Sequence, residues 1–385
     1  MLRDKAFRSV YLIQVVYAFA VMFSWSFALF YLVGRGFSYT DLILMKVFVY
    51  LAAVPLMFFM RKVDSMKAMA AGLIGFAFLI SSLIVVWDTP SLIAIALLDG
   101  FTYPLFWVAF NTVYFGFADK VGTAFLSGIG FLVFPLLGVF TPLLSGVIID
   151  SAGAEVVFLL GSLLLLIASY SVVKRKGATL SYNVKRALSS CKGVKSLLFI
   201  EGFWQGVDWI AVPLFTLYFL SSGTSYGGFL SYVAVFGALS TLFLCRRSDK
   251  SGNRVNYLYP AVFLTASATI VSSSVSTLLN WFLVRAIIGF FVAVANPFTT
   301  SVVLDRVKGV GDAMHVRELL FSAGRLAGSF TVLTCHLFLG GFQKAFIVSG
   351  LLLLAYPAVV EYKKLYPRKL SGKAFASEES LEFTD

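Results

Sequence analysis

The chain has 385 residues, of which 59% are hydrophobic and only 13% are charged, and its formal net charge is +12. A soluble domain has roughly 45–50% apolar and about 25% charged residues, so this composition excludes a soluble enzyme and a disordered chain. The three dispersed cysteines also exclude a secreted disulfide scaffold. An integral membrane protein is therefore predicted.

The apolar runs are long and lack the alternation of a membrane strand, which favours spanning helices over a β-barrel. The first helix is too long for a cleaved signal peptide, so we expect it to be retained. Twelve spans are predicted, at 9–33, 40–60, 68–87, 91–115, 123–148, 156–173, 197–220, 226–245, 257–275, 278–303, 313–339 and 343–360.

The loops that would share a side with both termini hold 25 of the 31 Lys and Arg residues, and the opposite loops hold only Arg35 and Lys344. This bias predicts that both termini are cytoplasmic. We expect the protein to lie in the cell membrane. Because the bases are spread over seven loops, we expect no nucleic-acid partner. The linker 174–196, which carries seven bases and no acid, is either simply solvated or in contact with anionic lipid.

This linker divides the chain into an N-terminal unit of six spans, 1–173, and a C-terminal unit of six spans, 197–360. A polar cytoplasmic tail, 361–385, follows and is expected to be disordered. A shift of about 186 residues places Asp99 on Arg285 and Asp119 on Asp305. The order of spans therefore predicts two parallel repeats with a binding site between them near the bilayer midplane.

Polar residues inside the first six spans are candidates for that site. Gln14 and Tyr17 share one face of span 1, and Asn111 lies further along span 4 than Asp99. A charge at the bilayer centre costs at least about 2.5–3.5 kcal/mol, so it needs a partner or a water-filled cavity. We expect Lys46 on span 2 to pair with Asp99.

Span 7 carries Glu201, Trp204, Gln205 and Asp208 at positions i, i+3, i+4 and i+7, which places them on one helix face. Asp208 lies about 18 Å from the cytoplasmic start of the span, near the midplane. Two interpretations stay open for this face. It is either a cavity wall, with Asp208 as ligand or proton carrier, or part of an ion pair within the C-terminal half.

Spans 10 and 11 add Arg285 and Asn296, and Glu318 and Arg325. Arg325 also lies near the midplane by helical rise, with Asp208 or Glu318 as its expected counter-charge. A structural charge network and a coupling role are both consistent with span 11. Neither the histidines nor the cysteines cluster, so no metal site is expected.

Four stretches resemble motifs of the major facilitator superfamily. The loop after span 8, 247–254, is similar to that family's Asp-Arg/Lys-x-Gly-Arg/Lys signature, and the loop 61–67 is a partial second copy that lacks the glycine. Thr141-Pro142-Leu143-Leu144-Ser145-Gly146 is similar to the Gly-Pro-x-x-Gly-Gly stretch of exporters, with Thr and Ser in place of glycines. Arg285 and Gly289 match an Arg-x-x-x-Gly pattern that many exporters carry on span 4, where this chain has Asp99 instead.

The resemblance implies an all-α integral membrane fold with twelve transmembrane helices, in two six-helix bundles related by a pseudo-two-fold axis. It also implies that spans 1, 4, 7 and 10 surround a central cavity, so that Gln14, Asp99, Asp208 and Arg285 can approach the same space. A cytoplasmic gate is expected at Asp64, Lys67, Asp249, Lys250, Gly252 and Arg254, where ion pairs and helix-end dipoles can hold helix ends together.

The leading functional hypothesis is a secondary transporter that moves a small organic solute by alternating access, coupled to protons. The alternatives are an uncoupled facilitator of the same fold and a membrane sensor that does not transport. A membrane-embedded enzyme is disfavoured because no His-Glu-x-x-His or clustered Asp ligands occur, and ATP-driven transport is disfavoured because no phosphate-binding loop occurs. We expect no enzymatic activity, no cofactor and a monomer. The candidate substrate and proton-binding residues are Gln14, Tyr17, Asp99, Asn111, Glu201, Trp204, Gln205, Asp208, Arg285, Asn296, Glu318 and Arg325.

Overall fold

The computed structural model describes residues 4–118, 123–191, 193–245, 255–307 and 309–365. A helix or a pair of helices lies at each predicted span. The helices of the first half are α1 (Lys5–Phe23), α2 (Ala28–Gly34), α3 (Tyr39–Phe59), α4 (Ser65–Ser82), α5 (Thr89–Phe115), α6 (Thr123–Gly138), α7 (Thr141–Ala152) and α8 (Ala154–Val173). Short 3₁₀ turns at Trp25–Phe27 and Leu83–Val85 lie between α1 and α2 and after α4.

The linker contains a short helix, α9 (Val184–Ser190), and the second half continues with α10 (Lys195–Thr216), α11 (Gly223–Ser240), α12 (Val255–Ser272), α13 (Leu278–Arg306), α14 (Val310–Phe338) and α15 (Lys344–Tyr362). A π-helical segment, Thr241–Cys245, extends α11. Two strands, β1 (Lys62–Asp64) and β2 (Thr179–Ser181), complete the elements of the described chain.

Ten helical segments of the described chain are long and apolar enough to cross a membrane, so the protein is a multi-pass membrane protein. The helices α10 and α14 are not among the ten. Both carry charged residues in their interiors, such as Glu201 and Asp208 on α10 and Glu318 and Arg325 on α14. That these two helices also cross the membrane, and that the twelve spans form two bundles, stays a prediction.

Polar caps explain where several helices begin. Ser38 and Asp41 form a capping box at the start of α3, and Asp88 and Ser91 form another at the start of α5. Each side chain accepts a hydrogen bond from a backbone N–H group that has no partner within its helix. The Thr277 hydroxyl accepts from the backbone N–H of Asn280 in the same way at α13. These helix starts are therefore determined by local sequence.

The linker is tied to both halves. The strands β1 and β2 pair in an antiparallel manner, with Val63 opposite Leu180. This pairing fastens the linker to the loop between α3 and α4. Further along the linker, the Arg186 guanidinium lies 2.5 Å from the Asp312 carboxylate at the start of α14. We call the end of the molecule that carries this linker the linker end, and the opposite end the far end.

Glycines allow two pairs of helices to pack with their backbones in contact. On α10 and α14, a Cβ at Gly206 would lie 2.4 Å from the Arg325 carbonyl oxygen, and one at Gly328 would lie 2.4 Å from the Phe203 carbonyl oxygen. On α7 and α11, a Cβ at Gly227 would lie 2.2 Å from the Pro142 carbonyl oxygen. The first contact holds the charged helix α14 inside the second half, and the second joins the two halves.

Candidate functional site

A cavity of about 630 Å³ lies between the two halves, within the roughly 300–1,000 Å³ typical of small-molecule sites. Its walls come from helices α1 to α6 of the first half and from α10, α11, α13 and α14 of the second. Eight of the twelve candidate residues line it: Gln14, Tyr17, Asp99, Asn111, Gln205, Asn296, Glu318 and Arg325.

Arg325 is the most extensively bonded of these residues. Its Nη1 donates to Glu318 Oε1 at 2.7 Å, and its Nε and Nη2 donate to Gln205 Oε1 at 2.9 and 2.7 Å. The guanidinium also faces the Trp209 ring at 4.5 Å and the Tyr103 ring at 5.4 Å. Charge-assisted hydrogen bonds and cation–π contacts of this kind offset the cost of burying an arginine. Glu318 is therefore its counter-charge, one of the two expected from the sequence.

Arg317, one helical turn before Phe321, belongs to the same network. Its Nη1 lies 3.6 Å from Glu318 Oε2, and its Nε donates to the Thr300 hydroxyl at 3.2 Å. Glu318 thus serves two arginines. Both guanidinium groups are occupied by protein partners before any ligand enters the cavity.

Lys46 and Asp99 also line the cavity, on α3 and α5. Lys46 Nζ lies 4.9 Å from the centre of the Trp25 ring. Within the part of the chain that the structure describes, neither side chain forms an ion pair within 4.0 Å. The expected Lys46–Asp99 ion pair is therefore absent, and both charged groups face the cavity without a protein counter-charge in contact.

Four candidate residues lie outside this cavity. Asp208 and Arg285 form a two-pronged ion pair, with Nη1 to Oδ1 at 2.7 Å and Nη2 to Oδ2 at 3.4 Å. Glu201 and Trp204 line a separate cavity of about 20 Å³ inside the second half. Of the polar face predicted on span 7, only Gln205 reaches the central cavity. The residues of this face have different partners: Trp204 donates to Thr269 on α12, Gln205 accepts from Arg325 on α14, and Asp208 pairs with Arg285 on α13.

The remaining candidates are positioned by neighbouring helices. Gln14 Nε2 donates to the Gly130 carbonyl oxygen at 2.8 Å, which links α1 to α6. The Tyr17 ring stacks on Phe106 with centroids 4.3 Å apart. Asn111 on α5 and Asn296 on α13 lie on opposite halves of the cavity wall. These residues give the cavity amide and aromatic surfaces in addition to its charges.

The predicted cytoplasmic gate lies only partly within the described chain. Asp64 Oδ1 accepts a hydrogen bond from the backbone N–H of Lys67 at 2.9 Å, so the acid caps α4. The second group of gate residues, Asp249, Lys250, Gly252 and Arg254, lies outside the described residues.

Contacts between the halves lie at both ends of the cavity. At the far end, Asp150 Oδ1 and Oδ2 accept hydrogen bonds from the backbone N–H groups of Gly223 and Thr224, both at 2.7 Å. At the linker end, the His315 ring lies 2.8 Å from the Met57 carbonyl oxygen, through Nε2. The cavity is therefore bounded at both ends by hydrogen bonds between the halves.

Sequence reasoning missed two features of this site. The aromatic residues that hold Arg325, Tyr103 and Trp209, come from two different helices, so no spacing along the chain links them to it. Asp150 is not among the predicted site residues, because its position near the end of one helix gives no indication that it caps a helix in the other half.

Comparison with solved structures identifies a similar fold. The chain is similar to the crystal structure of the human organic anion transporter MFSD10 (TETRAN), with a TM-score of 0.65 and 15% sequence identity, over 93% of this chain and 100% of that chain. No family model and no curated protein matches the sequence. This chain therefore has the fold of a major facilitator superfamily transporter, the family that its motifs resemble.

Proposed function

We propose that the protein is a secondary transporter that carries a small organic solute across the cell membrane by alternating access. The observation that carries this proposal is a charge-lined cavity between two halves that touch each other at both ends. Alternating access requires one set of end contacts to break while the other holds. The far-end bonds of Asp150 and the linker-end contact of His315 are suited to that exchange.

The proposal includes twelve spans in two six-helix bundles, with both termini in the cytoplasm. The charge bias of the loops supports this orientation. The helices α10 and α14, which are not among the ten apolar segments, carry charges that lie on the cavity or in internal ion pairs. We place the chain in the cell membrane as a monomer.

We also propose that transport is coupled to protons. Four carboxyl groups lie at membrane depth: Asp99 and Glu318 on the cavity, Asp208 beside Arg285, and Glu201 next to Gln205. The second carboxylate oxygen of Glu201, Oε2, is buried and has no hydrogen-bond partner within the described chain. Carboxyl groups that exchange partners between two conformations are the groups through which a proton can drive a transport cycle.

The test is uptake into proteoliposomes that contain the purified protein, with a screen of labelled anionic, cationic, zwitterionic and neutral metabolites. We expect accumulation of one class above its outside concentration when a pH gradient is imposed. Asp99→Asn and Asp208→Asn should reduce this accumulation, and Lys174→Gln, on the exposed linker, should not. If accumulation survives both carboxylate changes, coupling through those residues is refuted.

The same assay separates the alternatives. An uncoupled facilitator would bring the solute to equal concentrations on both sides and no further. A sensor would bind the solute without flux. Conversion of the solute, detected by mass spectrometry of the vesicle contents, would indicate an enzyme and overturn the proposal.

A further inference from the structure

Within the described chain, the charged residues inside the predicted spans are arranged differently in the two halves. In the second half, the acids Glu201, Asp208 and Glu318 match the bases Arg285, Arg317 and Arg325, and all three arginines have carboxylate partners within 4.0 Å. The first half contributes Lys46 and Asp99 to the cavity wall. Each half therefore has no net charge from these residues. The difference is that each of these arginines of the second half has a carboxylate in contact, whereas Lys46 and Asp99 of the first half have no opposite charge of the described chain in contact.

Lys46 and Asp99 are close in space although they are not in contact. The helices α3 and α5 touch at Gly100, where a Cβ would lie 2.2 Å from the Val49 carbonyl oxygen. Asp99 is the residue beside Gly100, and Lys46 lies one helical turn from Val49. The ammonium and the carboxylate therefore stand near each other on one wall, separated by more than 4.0 Å.

This arrangement selects among solute charges. The cavity arginines Arg317 and Arg325 already have Glu318 as their carboxylate partner. A solute with one charged group would therefore pair with only one of Lys46 and Asp99 and leave the other desolvated without a partner. A solute that carries one positive and one negative group would pair with both of these side chains. Two unpaired opposite charges on one wall thus match a zwitterion.

We propose that the cavity binds a small zwitterion, with its carboxylate on Lys46 Nζ and its ammonium on the Asp99 carboxylate. The body of the solute would be apolar or aromatic, because Trp25, Tyr103 and Trp107 line the same cavity. An amino acid with an aromatic side chain has this chemistry. This inference rests on the proposed function only in taking the central cavity as the solute site.

The test compares three probes of matched shape in lipid nanodiscs at pH 7, by calorimetry. Phenylalanine carries both charges, phenylalaninamide lacks the carboxylate, and 3-phenylpropionate lacks the ammonium group. We expect the wild-type protein to bind phenylalanine at least about 10-fold more tightly than either analogue, since 1.4 kcal/mol corresponds to tenfold. Lys46→Gln should abolish the preference over phenylalaninamide, and Asp99→Asn the preference over 3-phenylpropionate.

The matched controls carry the same substitutions away from the cavity. Lys174→Gln on the linker and Asp88→Asn at the start of α5 should leave all three affinities unchanged, since asparagine still caps a helix. The double variant Lys46→Gln with Asp99→Asn distinguishes a role of the two residues in binding the solute from a role in stabilising the fold. If the two residues only stabilise the fold, the double variant regains phenylalanine affinity; if they bind the zwitterion, it loses it.

Three results would overturn the inference: wild-type binding of 3-phenylpropionate as tight as that of phenylalanine, equal losses for all probes in the single variants, or no binding of phenylalanine. None of these would refute transport, because the vesicle screen could still find another solute. Conversely, binding of the zwitterion without any flux would refute the proposed transport function and leave the assignment of this binding site intact.

Discussion

Asp150 at the far end is the contact whose removal gives the sharpest test of alternating access. Its two carboxylate oxygens each accept a backbone N–H at 2.7 Å, from Gly223 and Thr224 at the start of α11. It therefore caps a helix of the other half, where the positive end of the helix dipole adds to the attraction. When the far end opens, water replaces these bonds. Because Asp150 is exposed, the net loss is that of a helix cap, about 1–2 kcal/mol.

A change of that size alters the ratio of far-end-closed to far-end-open molecules by about 5–30-fold. The measurement is the distance distribution between spin labels at Trp87 and Leu279, which are 74% and 69% exposed at the far ends of the two halves. With the native cysteines replaced by serine, Asp150→Ala should raise the ratio of long to short distances by that factor. Asp150→Asn, which keeps one acceptor, should have a smaller effect.

The matched control is Asp88→Ala, which removes a cap at the same end but within one half. It should leave the distance distribution unchanged. An unchanged distribution in Asp150→Ala, or an equal shift in both variants, would refute the reasoning that Asp150 holds the far end closed.

Three further changes test other parts of the structure. Glu318→Ala leaves two buried arginines without their carboxylate and should lower the free energy of unfolding by about 3–5 kcal/mol. Adding Arg325→Met should recover part of this stability, measured by thermal unfolding. An unchanged stability in Glu318→Ala would contradict the charge network. Gly227→Ala places a Cβ 2.2 Å from a carbonyl oxygen of α7 and should favour the far-end-open distances by about 1–3 kcal/mol of overpacking, whereas an unchanged distribution would mean that the two helices do not pack at this point. Burial in the linker raises the pKa of the Cys191 thiol to about 12. At pH 8 its thiolate fraction is then about 10⁻⁴, so maleimide should label it roughly 10³-fold more slowly than an exposed cysteine. Asp312→Ala, which releases α9, should raise the labelling rate, and rapid labelling of the wild type would show that the linker is not packed.

The positions of the helices could be read from the sequence because hydropathy and caps act locally. Asp88 lies before the first turn of α5 and Ser38 before that of α3, and each span was expected within a few residues of its helix. The charged residues inside the spans could also be identified from the sequence, since an Asp or Arg within an apolar run is rare.

The partners of those charges could not be read in the same way. Whether Asp208 meets Arg285 or Arg325 depends on the rotation of α10, which is set by the glycines that bring α14 against it. The sequence also predicts that Lys46 pairs with Asp99. Their helices do pack together, but the two side chains are not within ion-pair distance, and sequence does not determine side-chain separation at this scale.

The linker described above also limits how far the halves can separate. Tyr182 is held on the first half by its backbone N–H bond to the Arg61 carbonyl oxygen, and the next residue, Asn183, is held on the second by its backbone N–H bond to Asp312. One residue step joins these anchors, and an extended chain covers at most about 3.3–3.6 Å per residue. While both anchors hold, this short connection sets a maximum width for an opening between the halves at the linker end. A solute too bulky for that width would need one anchor to release first.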